Sequence, residues 1–337
     1  PANWADLSLG GSEAGTGLMN GLSDRAPVST DADPGSSIPD WANGTSSASS
    51  VLVDWPGFNG RGGNPGPPDR TGGGGDGGDG GGTTSDPTVL AAAYTSGETD
   101  TLSYDFFNIR VEFYGNLWTN DFYEAFVASA DLLSSLIVSG FDSDTYLGSF
   151  YDTTQTERVA DDIVIEAYLS DIDGSGNILG QAGPTYARSS DGSMVDGLPV
   201  AGIMEFDIAD AADLVGLNLW DDTVFHEMMH VFGFGTLWDL AAWNLVDDQL
   251  VLIDDNGTKR PTDDITGYAY LGSEGNAAYG SATDYLVVES GGGSGTARGH
   301  WSEAAQGNEI MTGYINGSNY LSDVTVAALE DMGYDVI

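Results

Sequence analysis

The strongest chemical signal in this sequence is a short stretch, DDTVFHEMMHVFGFGTLWD at 221–239, where His226 and His230 stand four apart with Glu227 between them. On a helix, residues i and i+4 leave the same face one turn apart, so both imidazoles can bind one metal ion. Glu227 is then placed to take a proton from a water that the metal activates. The metal itself lowers the pKa of such a water towards ~7 and polarises a carbonyl. The bland alternative is a surface helix whose histidines do nothing. Against it stands the count: the chain has only three histidines, and chance rarely spaces two of them by four with Glu alongside.

Catalytic zinc usually takes three protein ligands and a water. The one remaining histidine, His300 in ARGHWSEAAQGNEIMTG, follows a glycine in a stretch able to fold back over the helix. Taken alone, a histidine beside Trp301 is more often packed or capping. The need for a third ligand makes His300 the expected one, with Glu303 or Asp239 as fallback carboxylates.

These residues require a scaffold, and the sequence changes character to provide one. Residues 1 to about 88 are rich in Gly, Ser, Asp and Pro, include GGGGDGGDGGG at 73–83, and show no apolar period. Such a stretch reads as a flexible arm, linker or pro-segment, with Trp4, Trp41 and Trp55 as docking points or incidental aromatics. From 89 to 337 an ordered domain is expected. Phe107, Ile109, Val111 and Phe113 alternate with polar residues as in a half-buried strand. Residues 119–137 carry Phe122, Phe126, Ala130, Leu133 and Ile137 at helical spacing behind Thr119 or Asn120 as N-cap. Further strands are expected at 162–169 and 198–206, and helices at 222–232, closed by Gly233, and at 322–332, between Ser322 and Gly333. Together these predict a mixed α+β core. The polar, Gly-rich stretch 240–299 reads as a less regular insertion.

Composition narrows the function classes. The 337 residues include 52 acidic and 9 basic side chains, for a net charge of −43, and no cysteine. Disulfide scaffolds, thiol nucleophiles and Cys-ligated metals are excluded. A chain with one lysine, Lys259, and eight arginines lacks the clustered charge that nucleic acid needs. No apolar run reaches the ~20 residues of a membrane span. The acidic excess suits salty or calcium-rich surroundings and self-repelling monomers. The N-terminus lacks the form of a signal peptide, so export would use a leader already removed or a signal not visible here.

The helix motif resembles that of the metzincin zinc peptidases, HExxHxxGxxH, with His226, Glu227, His230 and Gly233 in place and Thr236 where the last histidine would stand. That departure excludes the short-motif members and is similar to the leishmanolysin-like branch, in which an insertion precedes the third histidine; His300 lies 70 residues after His230. GQAGP at 180–184, GIMEFD at 202–207, HWSE at 300–303, NEIMTGYI at 308–315 and LSDVTVAALEDMGYDV at 321–336 resemble segments of bacterial leishmanolysin-like metalloendopeptidases, in order over about 105–337.

The resemblance implies a metzincin-type zincin. A mixed twisted sheet and the active-site helix would form an upper subdomain at about 100–235, above a smaller, irregular lower one at about 236–337. It further implies Zn2+ on His226, His230 and His300, Met311 as the Met-turn methionine, and Gly233 as the turn glycine. The implied substrate is an extended polypeptide lying beside an edge strand of a secreted or cell-surface enzyme. Tyr314, a conceivable transition-state donor, reads more simply as packed. The family's cysteine latency switch is absent, so an inhibitory arm would have to bring an aspartate to the metal; a linker is the simpler reading.

A second metal pattern is weaker. DIDGSGNI at 171–178 matches the start of an EF-hand loop through Asp171, Asp173, Ser175, Gly176 and Asn177, but position twelve is Ala182 and no flanking helices are evident. Both a Ca2+ site and a plain Asp/Gly turn fit it. Two rivals to the peptidase remain: a non-catalytic acidic calcium-binding surface or adhesion protein of the same fold, and a metal hydrolase with a non-peptide substrate. The first has no use for Glu227 as a general base.

Overall fold

The computed structural model describes residues 5–8, 87–97, 106–142, 144–147, 157–176, 178–188, 197–240, 242–253, 265–280, 285–293 and 296–337. Trp4, Trp41, Trp55, the Gly/Asp run at 73–83 and Asn177 lie outside them.

The centre is a six-stranded mixed sheet. Its strands are β1 (Ala5–Ser8), β2 (Leu90–Thr95), β3 (Ile109–Tyr114), β6 (Ile163–Ser170), β7 (Ile178–Ala187) and β8 (Pro199–Asp207), in the order β1-β7-β8-β6-β3-β2. A small two-stranded sheet, β4 (Asp144–Leu147) with β5 (Glu157–Ala160), packs against it through Tyr146 and Ala160, which cluster with Val164, Val200 and Ala201. β3, β6 and β8 run parallel, while β2, β7 and β1 pair antiparallel at the two sides. The expected strands at 107–113, 162–169 and 198–206 are these three parallel strands, shifted by a residue or two. All of β8 is buried, as expected for a strand covered on both faces.

The alternation in β3 predicts polar side chains facing water, but Glu112 is buried. It accepts bonds from Arg158 of β5 at 2.5 Å and from Arg110 at 2.9 Å. A buried charge persists only when paired, and these guanidinium groups pair it.

Helix α1 (Asn120–Leu136) is the helix expected at 119–137. Thr119 caps it by accepting from the Phe122 amide, and Phe122, Phe126, Ala130 and Leu133 face the core. After β8 the chain turns at once into α2 (Ile208–Leu217), which the sequence reading did not include. Asp207 caps it, and Asn218 in the left-handed region ends it. Then α3 (Trp220–Val231) runs through the interior with nearly every side chain buried. Its buried side chains include the polar Asp222, Thr223, His226, Glu227 and His230, groups whose desolvation cost must be offset by partners or justified by a function.

The stretch 240–299 is more regular than expected. It holds β9 (Val246–Ile253), β10 (Ile265–Tyr270) and β11 (Val287–Val288) as an antiparallel sheet, with α4 (Ser273–Tyr279) between the last two. Asp248, Gln249 and Leu250 of β9 are exposed, and VDDQLVLI shows no regular polar–apolar alternation. The chain closes with the short α5 (Glu303–Gln306) and with α6 (Asp323–Met332), which is capped by Ser322 and stopped by Gly333 at φ 108°, as expected. Among the described residues no helix is long and apolar enough to cross a membrane.

Candidate metal centre

His226 and His230 leave one face of α3, as their spacing requires, and His300 comes from the loop before α5. Their Nε2 atoms form a triangle: His226 to His230 2.9 Å, His226 to His300 3.0 Å, His230 to His300 3.0 Å. Each Nδ1 meets a backbone carbonyl, His226 with Ile310 at 2.7 Å, His230 with Phe234 at 2.8 Å and His300 with Thr296 at 3.1 Å. A carbonyl only accepts, so each Nδ1 carries the proton and each Nε2 turns a lone pair inward. Three lone pairs about 3 Å apart repel one another unless a cation sits among them. An ion bound tetrahedrally at ~2.0–2.1 Å holds three nitrogens ~3.3 Å apart, within a few tenths of the observed triangle. The donor set therefore fits a metal.

Burial agrees. All three histidines are buried, and desolvation lowers their pKa values, to about 4 for His226, about 3 for His300 and well below the usual value for His230. They are neutral near pH 7, the form that ligates. Among the described residues this is the group of His, Asp or Glu that converges closely enough to hold a metal. The fallback carboxylates are elsewhere: Asp239 pairs with Arg298 at 2.8 Å, and Glu303 accepts from Asn316 at 3.2 Å. Glu227 is buried beside His226 on α3.

Local structure delivers the third histidine. Gly233 ends α3 at φ 99°, and Gly235 follows at φ 70°. A Cβ on Gly235 would overlap the carbonyl of Gly299, the residue before His300. Close backbone contact at this point, open only to glycine, sets His300 against α3. Gly233 matches the expected turn; Gly235 was not singled out in the sequence, although FGFG invited it. Thr236, at the place of the short motif's last histidine, donates to the His230 carbonyl at 2.9 Å and braces the turn.

A second residue that sequence reasoning missed is Glu309. It is fully buried and accepts from the Met311 amide at 2.5 Å, the Ser322 amide at 3.2 Å, Ser322 Oγ at 2.9 Å and Thr325 Oγ1 at 2.5 Å. Thr325 Oγ1 in turn accepts from the Trp301 indole at 2.8 Å. One carboxylate thus joins the start of α6, the residue after His300 and the turn whose Ile310 carbonyl orients His226. Burial raises its pKa to about 7, the four hydrogen bonds opposing. Met311 is buried on this turn, and its carbonyl accepts from the Trp301 amide at 3.0 Å. Tyr314 is half-buried just beyond, its carbonyl accepting from Thr312.

The calcium reading of 171–178 gains no support. The amides of Ile172, Asp173 and Gly174 all donate to one oxygen of Asp207, at 2.8–3.0 Å, and the Gly176 amide donates to Asp210 at 2.9 Å. A loop that turns its N–H groups onto a carboxylate is an anion-receptive turn, which is the Asp/Gly-turn alternative.

Compared with known families, residues 185–337 match the model of the peptidase M8 family, leishmanolysin. Over that stretch the chain is similar to leishmanolysin. The match spans α3, the glycine turn, His300 and Met311, so the metal centre falls inside it, and it supports a metallopeptidase. Searches of curated proteins and of solved structures gave no match.

Proposed function

We propose that this protein is a zinc-dependent endopeptidase in which Glu227 is the general base. The observation that carries the reading is the buried triangle of three Nε2 atoms beside Glu227, within the leishmanolysin-like stretch. His226, His230 and His300 would hold the zinc, which supplies a more acidic water and a polarised carbonyl. The three backbone carbonyls fix each imidazole in the ligating tautomer. Glu227, rigidly based on α3, takes the proton from the attacking water and returns it to the leaving amine nitrogen. Met311 packs the turn under the histidines and donates no electrons to the metal. A polypeptide is the proposed substrate and a monomer the working form. Secretion is part of the proposal, resting on the acid excess that suits saline surroundings.

The test is zinc content and casein cleavage of the full chain, with and without chelator, alongside Glu227→Gln. The variant should keep stoichiometric zinc and lose turnover by about 10²–10⁴-fold. Unchanged turnover would sink the mechanism. Stoichiometric zinc in the parent with no chelator-sensitive proteolysis would favour the non-catalytic rival.

A further inference from the structure

β7 lies beside α3, and without β1 it would be the free edge of the sheet. A free edge is a row of unpaired N–H and C=O groups that accepts any extended chain by strand addition. Here the place is taken. Residues Ala5–Ser8, more than 80 positions before the next strand among the described residues, pair antiparallel with β7: Ala5 faces Ala182, Asp6 faces Gln181, Leu7 faces Gly180 and Ser8 faces Ile178. The Cα atoms of β1 come within 8 Å of α3, the helix that carries His226, Glu227 and His230.

We infer that the β7 edge is a docking site for an extended peptide strand and that residues 5–8 of this same chain occupy it, closing the groove beside the metal centre against other peptides. The mode is backbone pairing, so it requires no side chain on the metal, unlike the aspartate cap that an inhibitory arm would otherwise need. A peptide substrate and β1 would compete for one row of amides. The consequence for activity rests on the peptidase reading; the docking itself does not.

The experiment uses the full chain and the full-chain double variant Asp6→Pro/Leu7→Pro. Adjacent residues of an antiparallel strand alternate in facing the partner. Replacing both therefore removes whichever amide the ladder uses, at an edge strand of the sheet. The probe is a fluorescently labelled synthetic peptide of residues 1–12, PANWADLSLGGS, titrated against both proteins in a Glu227→Gln background so that nothing is cleaved. A site closed about nine times in ten weakens an outside peptide about tenfold.

The labelled peptide should bind the proline variant about tenfold or more tightly than the parent. Amide hydrogen exchange at those positions of 178–182 whose N–H faces β1 rather than β8 should be slow in the parent, fast in the variant, and slow again once the peptide is added. Equal binding to both proteins, binding to neither, or unchanged exchange at those positions would overturn the inference. With Glu227 intact, the proline variant should cleave casein about tenfold faster. If peptide binding behaves as expected and neither protein cleaves anything, strand docking stands and the peptidase reading falls.

Discussion

Glu309→Gln offers a test in which most complications cancel. Glu309 is completely buried, and although four donors surround it, burial prevails and holds its carboxyl at about 7 against an ordinary 4.5. Its proton is therefore bound more tightly in the folded chain than in the unfolded one. A group with a raised folded pKa contributes stability that is fully present below the unfolded value and lost as pH rises through the folded value. The loss falls between about pH 4.5 and pH 7. Its size is the difference of about 2.5 in pKa, each unit being about 1.4 kcal/mol, so about 3 kcal/mol. Glutamine has nearly the same shape and cannot titrate. The variant begins with a fixed deficit, since one amide cannot serve all four donors as the carboxylate does, but this deficit does not change with pH. The stability gap between parent and variant should thus move by about 3 kcal/mol in the variant's favour from pH 4.5 to pH 7.5. At about 2–4 °C per kcal/mol for a domain of this size, this is a relative Tm change of about 6–12 °C. Thermal unfolding of both metal-free proteins across this range reads it directly, because every other titrating group is shared. Parallel Tm curves would refute the assignment of a buried, titrating carboxylate to the turn below His226.

The remaining predictions concern the metal centre. The three histidines have folded pKa values below the unfolded 6.5, so the neutral forms stabilise the metal-free fold above that value and the stabilisation is lost as pH falls towards about 4. Chemical denaturation of the chelated protein should show a decline over that interval that His300→Asn makes shallower. Gly235→Ala puts a Cβ against the Gly299 carbonyl at φ 70°; a loss of about 1–3 kcal/mol is expected, with zinc affinity, read by chelator competition, about tenfold or more weaker. Zinc at about 1,000 times its Kd should stabilise the parent by about 4 kcal/mol, seen as a rise in Tm that is absent in His226→Ala.

What could be read from the sequence was what local periodicity records. The helices around Phe122 and Phe126, around His226, and behind Ser322 declared themselves through caps and apolar spacing, and the three parallel strands through their β-branched runs. β7 did not, because Gly180, Gly183 and Pro184 are strand breakers by composition. The sheet tolerates them where the register shifts next to Pro184. α2 escaped because it begins at the residue where β8 ends, with Asp207 serving both elements. Of the candidate site, the histidine triad was legible because three histidines left so little choice, whereas Glu309 was invisible. A lone glutamate before Ile-Met reads as a surface charge until the fold brings Ser322 and Thr325 to it.

The same comparison explains why the centre needs so much of the chain after α3. That helix supplies two of the three histidines, and the turn that follows it, through the Phe234 carbonyl, orients only His230. The carbonyl that orients His226 lies 84 residues on, at Ile310, and the third ligand with its own orienting carbonyl, Thr296, comes from the segment before it. An imidazole with no acceptor for Nδ1 is free to rotate or to adopt the other tautomer, which would turn N–H instead of a lone pair toward the metal. Two helical histidines are therefore a metal site only once the turn at 309–311 has docked. Glu309, tying that turn to Ser322 and, through Thr325, to Trp301 next to His300, couples the orientation of one ligand to the placement of another. Disturbing the turn should then weaken metal binding at His226 and His300 together, although neither histidine has changed. A double-mutant cycle between Glu309→Gln and His300→Asn on zinc affinity would expose this as a coupling of about 1 kcal/mol or more; strictly additive effects would mean that the two ligands are placed independently.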